Sequence, residues 1–201
     1  MNGWSALILA GGAGRRFASD DGCGKLLADL GGAPVIRRVA ERVCAVGFAE
    51  VIAITGAGGA AIRAALAGAN VFVSEAPDWA EGMAASLRTG IAALSPQAAG
   101  VCVFLGDMPL VPVGLCPALV EAAERAGYAA RPRVEGKPGH PVAFTRAAFA
   151  DLLALQGDQG ATALLKARPG AVAYVDTAET GALLDIDTPD DLARAVAAWK
   201  A

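Results

Sequence analysis

Short, continuously apolar runs alternate with amphipathic segments along most of this 201-residue chain. Strands that are buried on both faces of a parallel sheet show unbroken apolar runs, and helices connect such strands. The pattern therefore predicts an α/β fold of three layers, Rossmann-like, with a mostly parallel central sheet. The predicted strands lie at 5–10, 51–55, 71–73, 101–105 and 171–175, and the predicted helices at 34–46, 59–67, 82–94, 115–126 and from 188 onwards.

The alternation falters between Ala129 and Phe144, where prolines and glycines interrupt it. We predict a small β excursion here, over the carboxyl edge of the sheet. The last helix has a clear start signal, because Thr188 can cap it and Pro189 suits its first position. No linker or repeat divides the chain, so we expect residues 1–201 to form a single domain.

Charge and hydropathy argue against two classes of partner. The net charge of −3 offers no positive excess for nucleic acid or an anionic membrane. The longest interval without a charged residue runs from Arg88 to Asp107, but Pro96 and Gly100 interrupt it, whereas a spanning helix needs about 20 apolar residues in a row. The N-terminus lacks the features of a signal peptide, and the four scattered cysteines form no Cys-x-x-Cys pair. These features favour a cytoplasmic protein.

The loop after the first predicted strand carries the strongest functional signal. It reads Leu9-Ala10-Gly11-Gly12-Ala13-Gly14-Arg15-Arg16-Phe17, and Lys25 follows. Ligands of open α/β sheets bind beyond the carboxyl ends of the strands, and glycine N–H groups with basic side chains suit several phosphates. Two familiar phosphate loops do not match. Leu26 stands where Walker A needs Ser or Thr, and Phe17 stands at the third glycine of the dinucleotide fingerprint, which disfavours NAD.

This loop resembles the signature of the nucleotidyltransferases that act on molybdenum cofactor, Leu-Ala-Ala/Gly-Gly-x-Gly/Ser-x-Arg-Met/Phe followed by a Lys. The resemblance extends over most of the chain, because five further segments follow in the family's order. Residues 81–87 look like its Gly-Met-x-x-Ser-Leu segment, 105–109 like its Gly-Asp-Met-Pro motif and 139–142 like its Gly-His-Pro loop, with 157–161 and 185–191 completing the series. The resemblance implies a nucleotidyltransferase fold and the transfer of a nucleotide to a phosphate acceptor.

A metal site is predicted around Asp107. This residue follows an apolar strand at the carboxyl edge of the sheet, where a carboxylate can hold Mg²⁺. Asp185 and Asp187 alternate in a strand-like stretch, so we expect their side chains to point to opposite faces and only one to share a metal with Asp107. The resemblance favours Asp185 as the second ligand and leaves Asp187 to cap the following helix.

The resemblance also implies roles for individual residues. The expected catalytic residues are Arg16, Lys25 and Asp107, because positioning and charge neutralisation dominate phosphoryl transfer. Gly139 and His140 are expected to contact the acceptor, in a loop whose Arg131, Arg133 and Lys137 should also face it. The expected nucleotide-binding residues are Leu9, Ala10, Gly11, Gly12, Gly14, Arg16, Lys25, Gly82 and Ser86.

The choice of base and acceptor rests on the same resemblance. Leu9-Ala10-Gly11-Gly12 is the form that goes with GTP, whereas three later segments look more like the branch that uses CTP. We predict CTP, with GTP as the alternative, and molybdopterin as the acceptor, with methylerythritol phosphate or a sugar phosphate as alternatives. A molybdoenzyme or its chaperone is then the expected protein partner. An accessory protein that binds the cofactor without catalysis is the alternative from a different class.

Overall fold

The computed structural model of the protein describes residues 1, 3–12, 17, 24–56, 58–158 and 160–199. In this part of the chain eight strands form one central sheet. They are β1 (Trp4–Ala10), β2 (Glu50–Thr55), β3 (Phe72–Glu75), β4 (Gly100–Leu105), β5 (Ala129–Val134), β6 (Lys137–Pro138), β7 (Val142–Thr145) and β8 (Val172–Asp176).

The described residues also form seven α-helices, which cover both faces of the sheet. Every helix that the sequence predicts is present within a few residues of its expected bounds, and two short helices between β7 and β8 are additional. The helices are α1 (Val35–Cys44), α2 (Gly59–Ala65), α3 (Met83–Ala93), α4 (Cys116–Ala126), α5 (Phe149–Leu153), α6 (Ala161–Ala167) and α7 (Pro189–Ala198).

The direction of the strands places several carboxyl ends at one edge of the sheet. The strand order is β3-β2-β1-β4-β7-β5-β6, with β8 beside β5. Neighbouring strands from β3 to β4 are parallel, and so are β5 and β8. Because β7 is antiparallel to both β4 and β5, these two strands run in the same direction. The carboxyl ends of β1, β4 and β5 therefore face the same side of the molecule.

Burial on both faces explains why the strands are continuously apolar. Ile8 packs with α1 and α4 on one face, whereas its neighbour Leu7 packs with α3 and α5 on the other. Neither residue exposes any of its surface. Successive side chains of a strand point to opposite faces, so a strand covered on both sides needs apolar residues at every position. This arrangement confirms the predicted three-layer α/β fold with a mostly parallel sheet.

The predicted β excursion is present but differs in its placement. We expected residues 129–144 to pass over the carboxyl edge, whereas β5 and β7 join the central sheet itself and only β6 projects as a short hairpin with β5. The antiparallel β7 lies between β4 and β5 and pairs with both of them.

A third, smaller cluster fixes the segment that precedes α7. Ile186 is fully buried there with Leu30, Val35 and Ala195. The predicted cap of α7 is confirmed, because the Thr188 hydroxyl accepts a hydrogen bond from the backbone N–H of Asp191 (3.2 Å). In the part of the chain described above, no helix is both long and apolar enough to cross a membrane.

Candidate active site

A cavity of about 760 Å³ opens at the carboxyl ends of β1 and β4, where ligands bind in open α/β sheets. Most of the residues that the sequence nominates lie in its wall. Gly14 and Arg16 lie outside the described residues, so their roles stay predictions. The nominated residues that line the cavity are Leu9, Ala10, Gly11, Gly12, Lys25, Gly82, Ser86, Asp107 and Asp185.

Lys25 lies between two carboxylates of this cavity. Its Nζ donates hydrogen bonds to Asp107 Oδ2 (2.6 Å) and to Asp187 Oδ1 (2.7 Å). Burial opposes the charge of the ammonium group, but the two carboxylates outweigh burial and raise the pKa of Lys25. The lysine is therefore a fixed positive charge at the end of β4.

Asp107 has the properties of a metal ligand. Burial raises its pKa, the nearby charge of Asp185 adds to the rise, and Lys25 opposes it. Its second oxygen, Oδ1, is buried and has no hydrogen-bond partner in the described part of the chain. Carboxylate oxygens suit a hard divalent cation, so Asp107 with Asp185 and Asp187 fits such an ion by the chemistry of its donors. Among the described residues no group of three acidic, His or Cys side chains is already arranged around a metal position.

The arrangement of Asp185 and Asp187 corrects one expectation. We expected these side chains to point to opposite faces of a strand, whereas both line the cavity and residues 184–187 form no strand. The backbone N–H of Ile186 bonds the Asp107 carbonyl (3.0 Å) while its side chain is buried, which leaves both aspartates beside Asp107. Asp187 does not cap α7 either, because Thr188 and Asp191 form the capping box.

At two glycines of the cavity wall, side chains lie close to the backbone. A Cβ atom added to Gly11 would lie 2.6 Å from Ser86 Oγ, so the hydroxyl fills the space beside this glycine. Gly82 has a φ of 113°, which other residues rarely adopt, and a Cβ there would collide with the Asp158 carboxylate. Sequence reasoning assigned Asp158 no role, although the Gly-Asp-x-Gly-Ala segment contains it. Its place in the cavity wall makes it a candidate contact for substrate.

Gly139 and His140 are not among the described residues that line the cavity, and both contact Ala182 instead. The backbone N–H of His140 donates to the Ala182 carbonyl (2.9 Å), and a Cβ on Gly139 would come within 2.5 Å of the same oxygen. Burial and the positive charge of Arg131 lower the pKa of His140 to about 4, against a backbone hydrogen bond to Val103 that opposes the shift. The imidazole is therefore neutral at physiological pH. Contact of either residue with an acceptor stays a prediction.

The fold and the cavity define an α/β protein with a polar cavity, lined by carboxylates and a lysine, at the carboxyl edge of its sheet. The family model of the MobA-like NTP transferase domain matches residues 6–173. The chain belongs to this family, which confirms the resemblance read from its motifs. It is thus a nucleotidyltransferase by family, and its nucleotide substrates are of the NTP class.

Two relatives differ in how much of their length the chain matches. Nicotine blue oxidoreductase of Paenarthrobacter nicotinovorans is 29% identical over 202 residues, covering 94% of this chain and 95% of that protein. The bifunctional protein GlmU of Rhizorhabdus wittichii is 36% identical over 110 residues, covering 54% of this chain. The match spans about a quarter of GlmU, 24% of its length.

Solved structures show the same architecture. Rv0371c of Mycobacterium tuberculosis H37Rv is 29% identical, with a TM-score of 0.82 and coverage of 96% of this chain and 97% of that one. A manganese complex of Rv0371c has a TM-score of 0.74 at 27% identity, covering 98% and 100% of the two chains. Nucleotidyltransferases of this kind use divalent metals, in agreement with the carboxylates around Asp107.

Proposed function

We propose that the protein transfers CMP from CTP to the phosphate group of molybdopterin, in a Mg²⁺-dependent reaction that releases pyrophosphate. The observation that carries this proposal is the meeting of Lys25 and Asp107 with the backbone of Gly11 and Gly12 in one cavity. A cation, a carboxylate with a free oxygen and exposed glycine backbone are the groups that a metal-bound triphosphate requires.

The carboxylates and the lysine divide the work at the triphosphate. Asp107, through its unpartnered Oδ1, and Asp185 would hold Mg²⁺. Bound there, Mg²⁺ supplies charge neutralisation at the phosphates and keeps them aligned. Lys25 would donate hydrogen bonds to phosphate oxygens, and its contact with Asp187 would keep its ammonium group at the end of β4. Arg16 would add a second positive charge toward the leaving group.

The transfer itself needs no strong base. An oxygen of the acceptor phosphate attacks the α-phosphorus of CTP, the bond from that phosphorus to the bridging oxygen of the β-phosphate breaks, and the electron pair leaves with pyrophosphate. Because the acceptor oxygen is already an anion, positioning and charge neutralisation supply the rate. His140, the only histidine of the chain, is neutral and outside the cavity wall, in agreement with this chemistry.

Gly11 supports GTP as the second candidate nucleotide. The resemblance associates alanine at this position with CTP and glycine with GTP. Here the Ser86 hydroxyl fills the space of an alanine Cβ, so the pocket is built around glycine. Three other segments favour CTP, and Ser86 in one of them can bond the base or the sugar.

Thermal unfolding with each nucleotide decides between the two bases. We expect Mg²⁺ with CTP to raise the Tm more than Mg²⁺ with GTP at equal concentration. A ligand that binds only the folded state raises the free energy of unfolding, and the rise is larger for the ligand that binds more tightly. A larger rise with GTP would reverse the assignment.

Pyrophosphate release tests the acceptor and the activity itself. We expect release with CTP and molybdopterin, and none with methylerythritol phosphate or a sugar phosphate. Release only with one of the latter would change the acceptor. No release with any acceptor, together with tight binding of molybdopterin, would instead identify a non-catalytic accessory protein.

A further inference from the structure

Arg131 is a buried cation without a counter-ion among the described residues. It lies in β5 between Ala130 and Pro132, which are also buried, and exposes only 6% of its surface. Its Nε donates to the Gly139 carbonyl (3.0 Å). No carboxylate pairs with it in the described part of the chain, and its Nη atoms have no hydrogen-bond partner there.

The neighbouring arginine of the same strand shows the contrast. Arg133 is half-buried, with 38% of its side chain exposed, and its Nε and Nη2 bond both oxygens of Asp176, at 2.6 and 2.8 Å. Taking a cation out of water is costly unless an anion and hydrogen bonds compensate it, and burial lowers the pKa of the Arg131 guanidinium. Within the described residues Arg131 thus lacks the carboxylate partner that the less buried Arg133 has, which indicates an anion from outside the chain.

His140 adds a second unsatisfied group at the same place. The positive charge of Arg131 acts on its imidazole, and Nδ1 of that ring is buried without a hydrogen-bond partner. A neutral imidazole offers one donor and one acceptor. The backbone hydrogen bond to Val103 uses the donor of the ring, which leaves Nδ1 as an acceptor for a protonated phosphate oxygen. The guanidinium N–H groups of Arg131 are the donors that the pair offers to an anion.

The sheet places this pair on the same side of the molecule as the cavity. Ala129 packs in the same cluster as Val103 and Val142, on the face that α3 covers. Side chains alternate along a strand, so Arg131 lies on this face too, one step nearer the carboxyl end of β5. That end shares its edge with the end of β4, where Asp107 lies, and the start of α3 forms part of the cavity wall.

We propose that Arg131, with His140 beside it, forms an anion subsite that binds a phosphate group of the acceptor. The inference rests on the proposed function for the identity of the second substrate. A guanidinium group matches phosphate oxygens through parallel N–H···O bonds, which the free Nη atoms of Arg131 can make. Lys25 and Asp107 then serve the nucleotide, and Arg131 serves the acceptor.

Titration with inorganic phosphate tests the subsite without turnover. We would measure phosphate binding by calorimetry in a Lys25→Met background, which removes the lysine contact to phosphate at the nucleotide end. Adding Arg131→Met should weaken phosphate binding at least tenfold, and Arg131→Lys should weaken it less, because the charge remains. Adding Arg133→Met, the matched control two residues along β5, should change the affinity less than twofold. Equal affinities with and without Arg131→Met would overturn the subsite.

Stability separates binding from a structural role. If Arg131 served only to hold the Gly139 loop, Arg131→Met would lower the free energy of unfolding and leave phosphate affinity unchanged, and this outcome would overturn the inference. We expect the Met variant to be at least as stable as the unaltered chain in phosphate-free buffer, because a buried unpaired cation disappears. Should Met disturb the fold, Arg131→Lys carries the comparison.

Steady-state kinetics then separates this inference from the proposed function. With molybdopterin, Arg131→Met should raise the KM for the acceptor at least tenfold and leave the KM for CTP unchanged. An unchanged acceptor KM in an active enzyme would overturn the subsite and leave the function standing. If the unaltered protein releases no pyrophosphate with any acceptor, the proposed function fails, while the phosphate titration still decides the role of Arg131.

Discussion

Two basic side chains are largely buried on the same side of this molecule, and they differ in whether carboxylates surround them. The Lys25 side chain is 13% exposed and lies within 2.7 Å of the carboxylates of Asp107 and Asp187. Arg131 is 6% exposed and bonds only a backbone carbonyl among the described residues. Two carboxylates therefore neutralise the charge of Lys25, whereas no described residue neutralises that of Arg131.

The difference separates the two ends of the site by charge. The described part of the cavity wall has four carboxylates and a single lysine, so its charge favours a metal ion and the nucleotide that the metal neutralises. Arg131 and the neutral His140 form a region of net positive charge, which favours an anion. The contrast predicts that substitutions at the two ends will affect different substrates.

Removing the charge of Asp107 is expected to have the largest effect. Asp107→Asn keeps the shape of the side chain but loses a metal ligand, so turnover should fall at least about 10³-fold, which corresponds to about 4 kcal/mol of transition-state stabilisation. Pyrophosphate release under saturating substrates measures it. Asp190→Asn, at an exposed position in the first turn of α7, is the matched control and should retain activity. Near-normal turnover in a folded Asp107→Asn protein would mean that the Asp107 carboxylate is not needed for the reaction.

The pH dependence of stability tests the cationic end. The pKa of His140 is about 4 in the folded protein, against 6.5 for an ordinary histidine. Below pH 6.5 the unfolded state takes up a proton that the folded state does not, so the free energy of unfolding is highest above pH 6.5 and falls as the pH drops to about 4. The loss amounts to at most about 3 kcal/mol. Urea unfolding should therefore show the unaltered protein losing more stability than His140→Gln between pH 7 and 4. Parallel curves for the two proteins would mean that His140 is not held neutral beside Arg131.

The layers of the fold and one end of the site follow from local patterns in the sequence. Apolar runs predict the buried strands, and Asp107 is placed by the strand that precedes it. The insertion of β7 between β4 and β5 could not be predicted, because strand order depends on pairing between segments that are distant along the chain.

The environments of the basic residues around Arg131 could not be predicted from the sequence. Arg131, Arg133 and Lys137 look alike in the sequence and were expected to face the acceptor together. The structure buries the first and exposes the third, and it pairs the second with Asp176. Tertiary contacts produce this difference, because Arg131 bonds the Gly139 carbonyl whereas the register of β5 with β8 sets Arg133 beside Asp176. Likewise, the contact of Lys25 with Asp187 joins residues far apart in the chain, and no spacing rule predicts it.

Replacing Lys25 tests the comparison of Lys25 with Arg131, and its expected effect is the smallest of the three predicted here. The ammonium group bonds the same carboxylates that suit a metal, so it competes with a divalent cation for them. Lys25→Met should therefore bind Mn²⁺ about tenfold more tightly, a difference of about 1.4 kcal/mol. The electron paramagnetic resonance signal of free Mn²⁺ measures the affinity, and Lys166→Met, exposed in the last turn of α6, is the control. Weaker binding in Lys25→Met would mean that the lysine organises the carboxylates rather than occupying the position of the metal. Lys25 and Arg131 would then be more alike than their contacts indicate, because each of them would act together with a bound ligand.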